Sequence, residues 1–324
     1  MAFSSIRQSK LPAVSRRLGC SVLQCCFSRR TADPLRNNAR IDVAIQSRIR
    51  FRSYTSLSHG ARIETIDISA LLNNDVMGSL DAANQLSAAF ADTGFAIVTG
   101  TNVSMQQMGR LRDLAYQFFK QDMQVKLQVN SGRGKGYGQA PYCYMEENGA
   151  QLLGDFSRPT DIVESLTYRG LSTLEVQEQL PQSPAGLKDE MVHFNDNFVQ
   201  LRRALEKACE IALGLEDNFL TSRCMDGADS LRLAYYPDEP NPLEGQMRYG
   251  AHVDSYGITI LNLDPANPGG LQVNIDDIWV DVPFVPGSFV LNAGALLSRW
   301  TNGKWKASVH RVLCKPGERL SIVS

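Results

Sequence analysis

The stretch Tyr249-Gly-Ala-His-Val-Asp-Ser-Tyr-Gly-Ile-Thr259 is the part of the chain around which the rest can be placed. It is typical of a β-strand, in which successive side chains point to opposite faces, so His252 and Asp254 should project from the same face. Two such side chains can hold one ion together, and an imidazole with a carboxylate suits Fe(II). The stretch therefore predicts two of the protein ligands of an iron site.

The chain has only four histidines, so the candidates for a third ligand are the three histidines besides His252. His59 lies in a presequence-like N-terminal region. His193 lies in a helical run, and we expect it to be packed or at the solvent edge. His310 lies in the alternating, strand-like stretch Ala307-Ser-Val-His-Arg-Val-Leu313 and is left as the third ligand. Two histidines and one carboxylate make a facial triad, which leaves open positions on the metal.

Nine residues after His310, Arg319 and Ser321 repeat the two-residue spacing. On a strand they would offer a forked guanidinium and a hydroxyl toward one spot, and these groups fit a carboxylate.

These residues belong to an ordered series of short motifs. The series comprises His252-x-Asp254, Gly269–Val273, Pro286–Val290, Asn292-x-Gly294, Thr301–Gly303, His310-Arg-Val312 and Arg319-x-Ser321. It resembles the 2-oxoglutarate and Fe(II)-dependent dioxygenases of the isopenicillin N synthase-like group, over about residues 62 to 324.

The fold expected from this resemblance is α+β and mainly β, with a double-stranded β-helix (jelly roll) core after an N-terminal mixed helical domain. Short strands at regular spacing with glycine turns favour the same double-sheet architecture. We predict a helical N-terminal domain over residues 61–228 and the jelly-roll core over residues 229–324. The sequence stops at Ser324, inside the strand that begins with Arg319, whereas relatives continue with a helical tail, so we expect this strand to be incomplete.

The resemblance implies an oxidoreductase with Fe(II) and the cosubstrate 2-oxoglutarate, and with ascorbate as an optional reductant. His252, Asp254 and His310 would be the catalytic metal ligands. A small organic metabolite and dioxygen would be its other partners, with hydroxylation, desaturation or ring closure as the outcome and succinate and carbon dioxide as coproducts.

The far carboxylate of 2-oxoglutarate would be held by Arg319 and Ser321 according to the resemblance, with Tyr236 as a further candidate. Many plant members have asparagine where this chain has Ala234, so one polar contact to the cosubstrate is absent. Two other readings stay open. The protein could be an isopenicillin N synthase-like oxidase that does not use 2-oxoglutarate, because Arg319-x-Ser321 also suits a substrate carboxylate, or an inactive metal-binding fragment on the same scaffold.

Charge divides the chain into a basic leader and an acidic remainder. Of its 33 lysines and arginines, 11 lie in the first 60 residues, where Asp33 and Asp42 are the only acids, so 22 basic and 32 acidic residues follow. The acidic charge of this remainder disfavours nucleic acid and anionic membranes as partners. We also expect the protein to be a monomer.

The leader, residues 1–60, is rich in arginine and serine and has no apolar run long enough for a signal peptide or a membrane span. It is typical of a transit peptide, and its arginine pairs resemble mitochondrial presequences. The alternatives are a plastid leader, a cytoplasmic protein with a basic tail, and a wrongly assigned start codon.

The cysteines that follow the leader show no CxxC spacing, so reduced core thiols are expected. They are Cys143, Cys209, Cys224 and Cys314.

The glycine-rich stretch Ser131–Gly138 is not a dinucleotide fingerprint, because a helical run precedes it and a polar loop follows. Within the resemblance it lies at the approach to the active site, where Arg133, Lys135 or Tyr137 could touch substrate.

Overall fold

The computed structural model describes residues 62–73, 75–130, 142–144, 157–170, 173–223, 230–255 and 257–324. The described residues belong to one compact unit. Their helices are α1 (Ser69–Leu72), α2 (Val76–Asp92), α3 (Met105–Phe119), α4 (Met123–Leu127), a 3-10 turn (Gln128–Asn130), α5 (Leu174–Glu178), α6 (Leu187–Leu213) and α7 (Ala295–Trp300). The strands are β1 (Thr65–Asp67), β2 (Phe95–Thr99), β3 (Tyr142–Tyr144), β4 (Glu164–Arg169), β5 (Ser230–Tyr236), β6 (Met247–His252), β7 (Ile258–Asn262), β8 (Leu271–Ile275), β9 (Ile278–Asp281), β10 (Phe289–Ala293), β11 (His310–Leu313) and β12 (Arg319–Val323).

These strands form two sheets, as the jelly-roll prediction requires. The major sheet has eight strands in the order β1-β2-β10-β7-β12-β5-β4-β3, and the minor sheet has four in the order β6-β11-β8-β9. Strands from both predicted domains therefore share the major sheet. The division at residue 228 stays a prediction.

The two faces of the major sheet have different partners. One face joins the long helices in the largest apolar cluster, to which β12 contributes Leu320 and Ile322. Between the sheets lies a second apolar cluster, which includes Phe95 of β2 and Val312 of β11. Because side chains alternate along a strand, Arg319 and Ser321 lie on the face opposite Leu320 and Ile322 and look toward the minor sheet.

Helical spacing predicted the long helices well. Apolar residues at three- and four-residue steps predict a helix over residues 185–215, where the structure has α6, and Gly214 ends α6 as its C-cap with a left-handed φ of 63°, a conformation that glycine adopts without strain. Apolar residues at helical spacing predict another helix from Asp81 to Asp92. The helix found there, α2, begins earlier, because Asp75 caps it by accepting a hydrogen bond from the Gly78 amide.

Alternating residues over Ile63–Ser69 predict a strand, but the strand in the structure, β1, is shorter. Strand β1 ends at Asp67, whose carboxylate accepts a hydrogen bond from the Ser69 amide at 2.8 Å, and Ser69 starts α1. An aspartate that bonds the backbone two residues on favours a turn over a continuing strand.

Cys209 is a buried free thiol and Cys314 a half-buried one. Cys143 is half-buried, and Cys224 lies outside the described residues. No helix in the described part of the chain is both long and apolar enough to cross a membrane. The leader, residues 1–60, also lies outside the described residues.

Candidate active site

His252, Asp254 and His310 meet at one end of the minor sheet. His252 ends β6, His310 begins β11, and the two are directly paired across these antiparallel strands. Oδ1 of Asp254 lies 3.4 Å from Nε2 of His252 and 3.7 Å from Nε2 of His310. The three donor atoms lie within 4.8 Å of one another. The structure thus brings together the three residues predicted as metal ligands.

The predicted local structure of Asp254 was wrong in one respect. Strand β6 stops at His252, so Asp254 lies in the following loop and its direction does not come from strand alternation. The backbone holds it instead, because the Asp254 carbonyl accepts a hydrogen bond from the amide of Ala295, the first residue of α7, at 2.7 Å. The start of α7 therefore sets the position of the Asp254 backbone.

Hydrogen bonds fix the orientation of both imidazoles. Nδ1 of His252 lies 2.9 Å from the Gly250 carbonyl, and Nδ1 of His310 lies 3.1 Å from the Ser308 carbonyl. A carbonyl can only accept, so each Nδ1 carries a proton and donates it, which leaves Nε2 as the ring nitrogen that faces Asp254. Phe95 also packs edge-on against His310, with 5.4 Å between ring centroids.

Protonation in this cluster suits metal binding. Burial, and then the neighbouring imidazole of His252, lower the pKa of His310 to about 4. Burial alone would raise the pKa of Asp254, but the contacts with His252, His310 and the Asn292 amide outweigh it and lower that pKa well below its usual range. At neutral pH the cluster therefore presents a neutral His310 and an ionised Asp254.

The second oxygen of Asp254 is held by two polar side chains. Oδ2 accepts hydrogen bonds from Oγ1 of Thr259 at 2.6 Å and from Nδ2 of Asn292 at 2.7 Å. This leaves Oδ1 directed at the two histidines, so Thr259 and Asn292 orient the carboxylate for a metal.

We expect Asn292→Ala to weaken metal binding by about 10-fold to 100-fold, because partners that orient a ligand have effects of this size. Mn(II) affinity under equilibrium dialysis measures the effect. Asn197→Ala is the matched control, since the Asn197 amide donates a similar hydrogen bond, to Gln107 at 2.5 Å, away from the ligands. Unchanged metal affinity in Asn292→Ala would show that Thr259 alone orients Asp254.

Arg319, Ser321 and Tyr236 form a second group between the sheets. Arg319 of β12 pairs with Tyr236 of β5, and its guanidinium carbon lies 5.0 Å from the centre of the tyrosine ring. Ser321 pairs with Ala234, the position where many plant members have asparagine. The structure thus brings together all three residues predicted at the cosubstrate.

Arg319 is 1% exposed, and none of its three guanidinium nitrogens has a hydrogen-bond partner among the described residues. In the same described part of the chain, the buried Ser321 hydroxyl also has no partner. A buried cation with its donors unsatisfied is costly unless an anion binds there. These two side chains therefore fit one carboxylate of a dianionic ligand such as 2-oxoglutarate, and the imidazole and carboxylate donors nearby fit Fe(II).

Comparison with known proteins agrees with this geometry. The family model of the 2OG-Fe(II) oxygenase superfamily matches residues 227–324, and the N-terminal model described as non-haem dioxygenase in morphine synthesis matches residues 63–181. The 1-aminocyclopropane-1-carboxylate oxidase homolog 1 of Arabidopsis thaliana is 30% identical over 80% of this chain and 67% of that protein. The chain belongs to the 2OG-Fe(II) oxygenase superfamily.

Two further relatives span similar lengths. A homoarginine-6-hydroxylase of Glycine max is 29% identical to the oxygenase over 81% of this chain and 84% of that protein. A full-length protein of Neurospora crassa, crystallised in complex with alpha-KG, has a TM-score of 0.68 and 27% identity over 81% of this chain and 83% of its own. The predicted jelly-roll fold is confirmed. The oxygenase is a 2-oxoglutarate-dependent non-heme iron dioxygenase, and the reading as an oxidase without 2-oxoglutarate is not favoured.

Other residues considered in the sequence lie elsewhere. His193 is exposed on α6, as expected of a solvent-edge histidine, and Arg133, Lys135 and Tyr137 lie outside the described residues of the oxygenase.

Sequence reasoning gave no role to Thr259 and Asn292, although both fall in the quoted motifs. Sequence reasoning also gave no role to Arg248, which lies four residues before His252. The only sign of a role in the sequence was the closeness of this positive charge to the ligand motif.

Proposed function

We propose that His252, Asp254 and His310 hold Fe(II), and that Arg319 and Ser321 hold the far carboxylate of 2-oxoglutarate, with Tyr236 beside it. One observation carries the proposal: the Arg319 guanidinium is buried between the sheets with no nitrogen paired to a described residue, in the jelly roll that also carries the triad. A buried cation on one sheet and three metal donors at the end of the other suit a cosubstrate that binds to both.

The residues of the chain orient the reactants. His252 and His310 present fixed lone pairs, Asp254 presents one carboxylate oxygen, and Arg319 with Ser321 sets the position of the cosubstrate. Fe(II) and 2-oxoglutarate, when bound, supply the activation of dioxygen that oxidises the substrate, with release of succinate and carbon dioxide. The protein contributes orientation and the exclusion of side reactions.

The substrate that we propose is a small organic metabolite. The relatives support this class, since the Glycine max relative is named for hydroxylation of homoarginine. The outcome is hydroxylation, desaturation or ring closure.

The test is 2-oxoglutarate consumption with Fe(II), ascorbate and pooled metabolites, followed by mass analysis. We expect succinate to form in step with one metabolite that gains oxygen or loses hydrogen. Oxidation of a metabolite without succinate would contradict the use of 2-oxoglutarate, and Asp254→Ala is the inactive control.

We further propose that the protein is a monomer and that residues 1–60 are a mitochondrial leader. Composition supports the leader, since residues 1–60 have an excess of arginine and serine and a near absence of acids. Residues 1–60 fused to a fluorescent reporter should direct it to mitochondria, as fluorescence microscopy with an organelle marker can measure. The same fusion with its arginines replaced by glutamine is the control, and a diffuse or plastid signal from the unmodified leader would contradict the mitochondrial assignment.

A further inference from the structure

Arg248 of β6 is a second arginine buried between the sheets. It is 2% exposed, and one terminal nitrogen donates a hydrogen bond to the carbonyl of Gly317. The other terminal nitrogen, Nη1, is buried and has no hydrogen-bond partner within the ranges that the structure describes. The protein therefore provides an acceptor for one terminal nitrogen of the guanidinium, and the other terminal nitrogen still needs one.

A β-bulge accounts for the direction of this side chain. Across the β6–β11 pair, Met247 faces Leu313 and Tyr249 faces Val312, which are consecutive on β11. Arg248 is the extra residue between them, without a partner across the strands. Bulges re-aim side chains and are over-represented next to active sites.

The bulge brings Arg248 to the same aromatic ring as Arg319. The guanidinium carbons of Arg248 and Arg319 lie 5.9 Å and 5.0 Å from the centre of the Tyr236 ring. Burial, and then the positive charge of Arg319, lower the pKa of Arg248. Two cations thus share one buried space, and in the described part of the chain neither forms a salt bridge with a carboxylate.

A third buried arginine, Arg112, has a purely structural role and serves as the comparison. Nη2 of Arg112 donates to Oδ1 of Asn262 at 2.5 Å and to the Leu263 carbonyl at 3.1 Å, and Nε lies 3.8 Å from Oδ1 of Asp264. Arg112 is satisfied within the protein, whereas Arg248 and Arg319 both keep unused donors.

We infer that Arg248 is a second cosubstrate-binding residue, which donates with Arg319 to the far carboxylate of 2-oxoglutarate and selects dicarboxylic over monocarboxylic 2-oxo acids. The inference rests on the proposed placement of 2-oxoglutarate. Two guanidinium groups on one carboxylate strengthen binding only for a ligand that has this carboxylate.

Calorimetric binding to the Mn(II)-loaded full chain tests the inference without turnover. The ligands are 2-oxoglutarate and 2-oxopentanoate, which has the same five-carbon chain with a methyl group in place of the far carboxylate. Arg248→Gln keeps a donor for the Gly317 carbonyl and removes the charge. We expect its affinity for 2-oxoglutarate to fall by about tenfold or more, with affinity for 2-oxopentanoate and for Mn(II) unchanged.

Asn267→Ala is the matched control for a structural role of Arg248. The Asn267 amide donates to the carbonyls of Pro316, Gly317 and Glu318, so its loss loosens the same turn without removing a charge. It should leave the preference for 2-oxoglutarate over 2-oxopentanoate as in the wild type. Equal losses for both ligands in Arg248→Gln, or an unchanged preference, would overturn the inference while leaving the proposed function intact.

A structure of the wild-type protein with Mn(II) and 2-oxoglutarate needs no variant. We expect an Arg248 nitrogen within about 3.2 Å of the far carboxylate. A far carboxylate bound by Arg319 alone would overturn the inference. Failure of the wild type to bind 2-oxoglutarate would instead contradict the proposed function on which it rests.

Discussion

Asp254→Ala is expected to abolish turnover and to weaken Fe(II) binding by more than about 100-fold. The variant removes the only carboxylate of the triad, and the loss of partners that merely orient a ligand already costs about 10-fold to 100-fold. His252→Ala and His310→Ala should behave alike, because each removes one of the three donors that lie within 4.8 Å of one another. Anaerobic Fe(II) titration and 2-oxoglutarate consumption measure the two effects.

His193→Ala is the matched control, since His193 is an exposed histidine on α6. It should bind iron and turn over as the wild type does. Asp254→Glu is a finer test, because its longer side chain displaces the oxygen, and misplacement by about 1 Å can cost on the order of 100-fold in rate. Full activity in any of the three alanine variants would disprove the assignment of that ligand.

The second large effect is expected from Arg319→Ala. The change removes a buried guanidinium whose three nitrogens have no partner in the described part of the chain, and hydrogen bonds to charged groups contribute about 1.5–3 kcal/mol each. Since about 1.4 kcal/mol corresponds to tenfold, 2-oxoglutarate affinity should fall at least tenfold while iron binding stays intact. Calorimetry with the Mn(II)-loaded protein measures both constants.

Arg319→Lys should restore only part of this affinity, because an ammonium is a point charge without the fork. Arg110→Ala is the control, since its side chain is 51% exposed and forms an ion pair with Glu190 at the surface, where such pairs contribute little. If iron is lost as strongly as 2-oxoglutarate in Arg319→Ala, the residue is structural and the cosubstrate binds elsewhere.

The sequence predicted the candidate site best where the strands are regular. Strand β12 pairs with β5 without a register shift from Arg319 to Val323. Alternation therefore placed Arg319 and Ser321 on one face, opposite Leu320 and Ile322, as the structure shows.

Prediction was weaker where tertiary contacts decide the backbone. Asp254 was expected on a strand, but its loop is fixed by the amide of Ala295, which is 41 positions later in the sequence. The bulge that aims Arg248 depends on the pairing of β6 with β11. Such a register shift has no local sequence signal here, so neither feature could be derived from periodicity alone.

The roles of Thr259 and Asn292 were missed for a related reason. Their side chains meet Asp254 only because β7 and β10 are neighbours in the major sheet, where Thr259 and Asn292 are directly paired. Strand order is a property of the whole fold, and the motifs show only which residues are present.

The placement of iron is tested most directly by anomalous diffraction at the iron absorption edge, from crystals grown without oxygen in the presence of Fe(II) and 2-oxoglutarate. We expect one strong peak, bounded by Nε2 of His252, Nε2 of His310 and Oδ1 of Asp254. A peak at any other position, or no peak in a protein that still consumes 2-oxoglutarate, would contradict this placement.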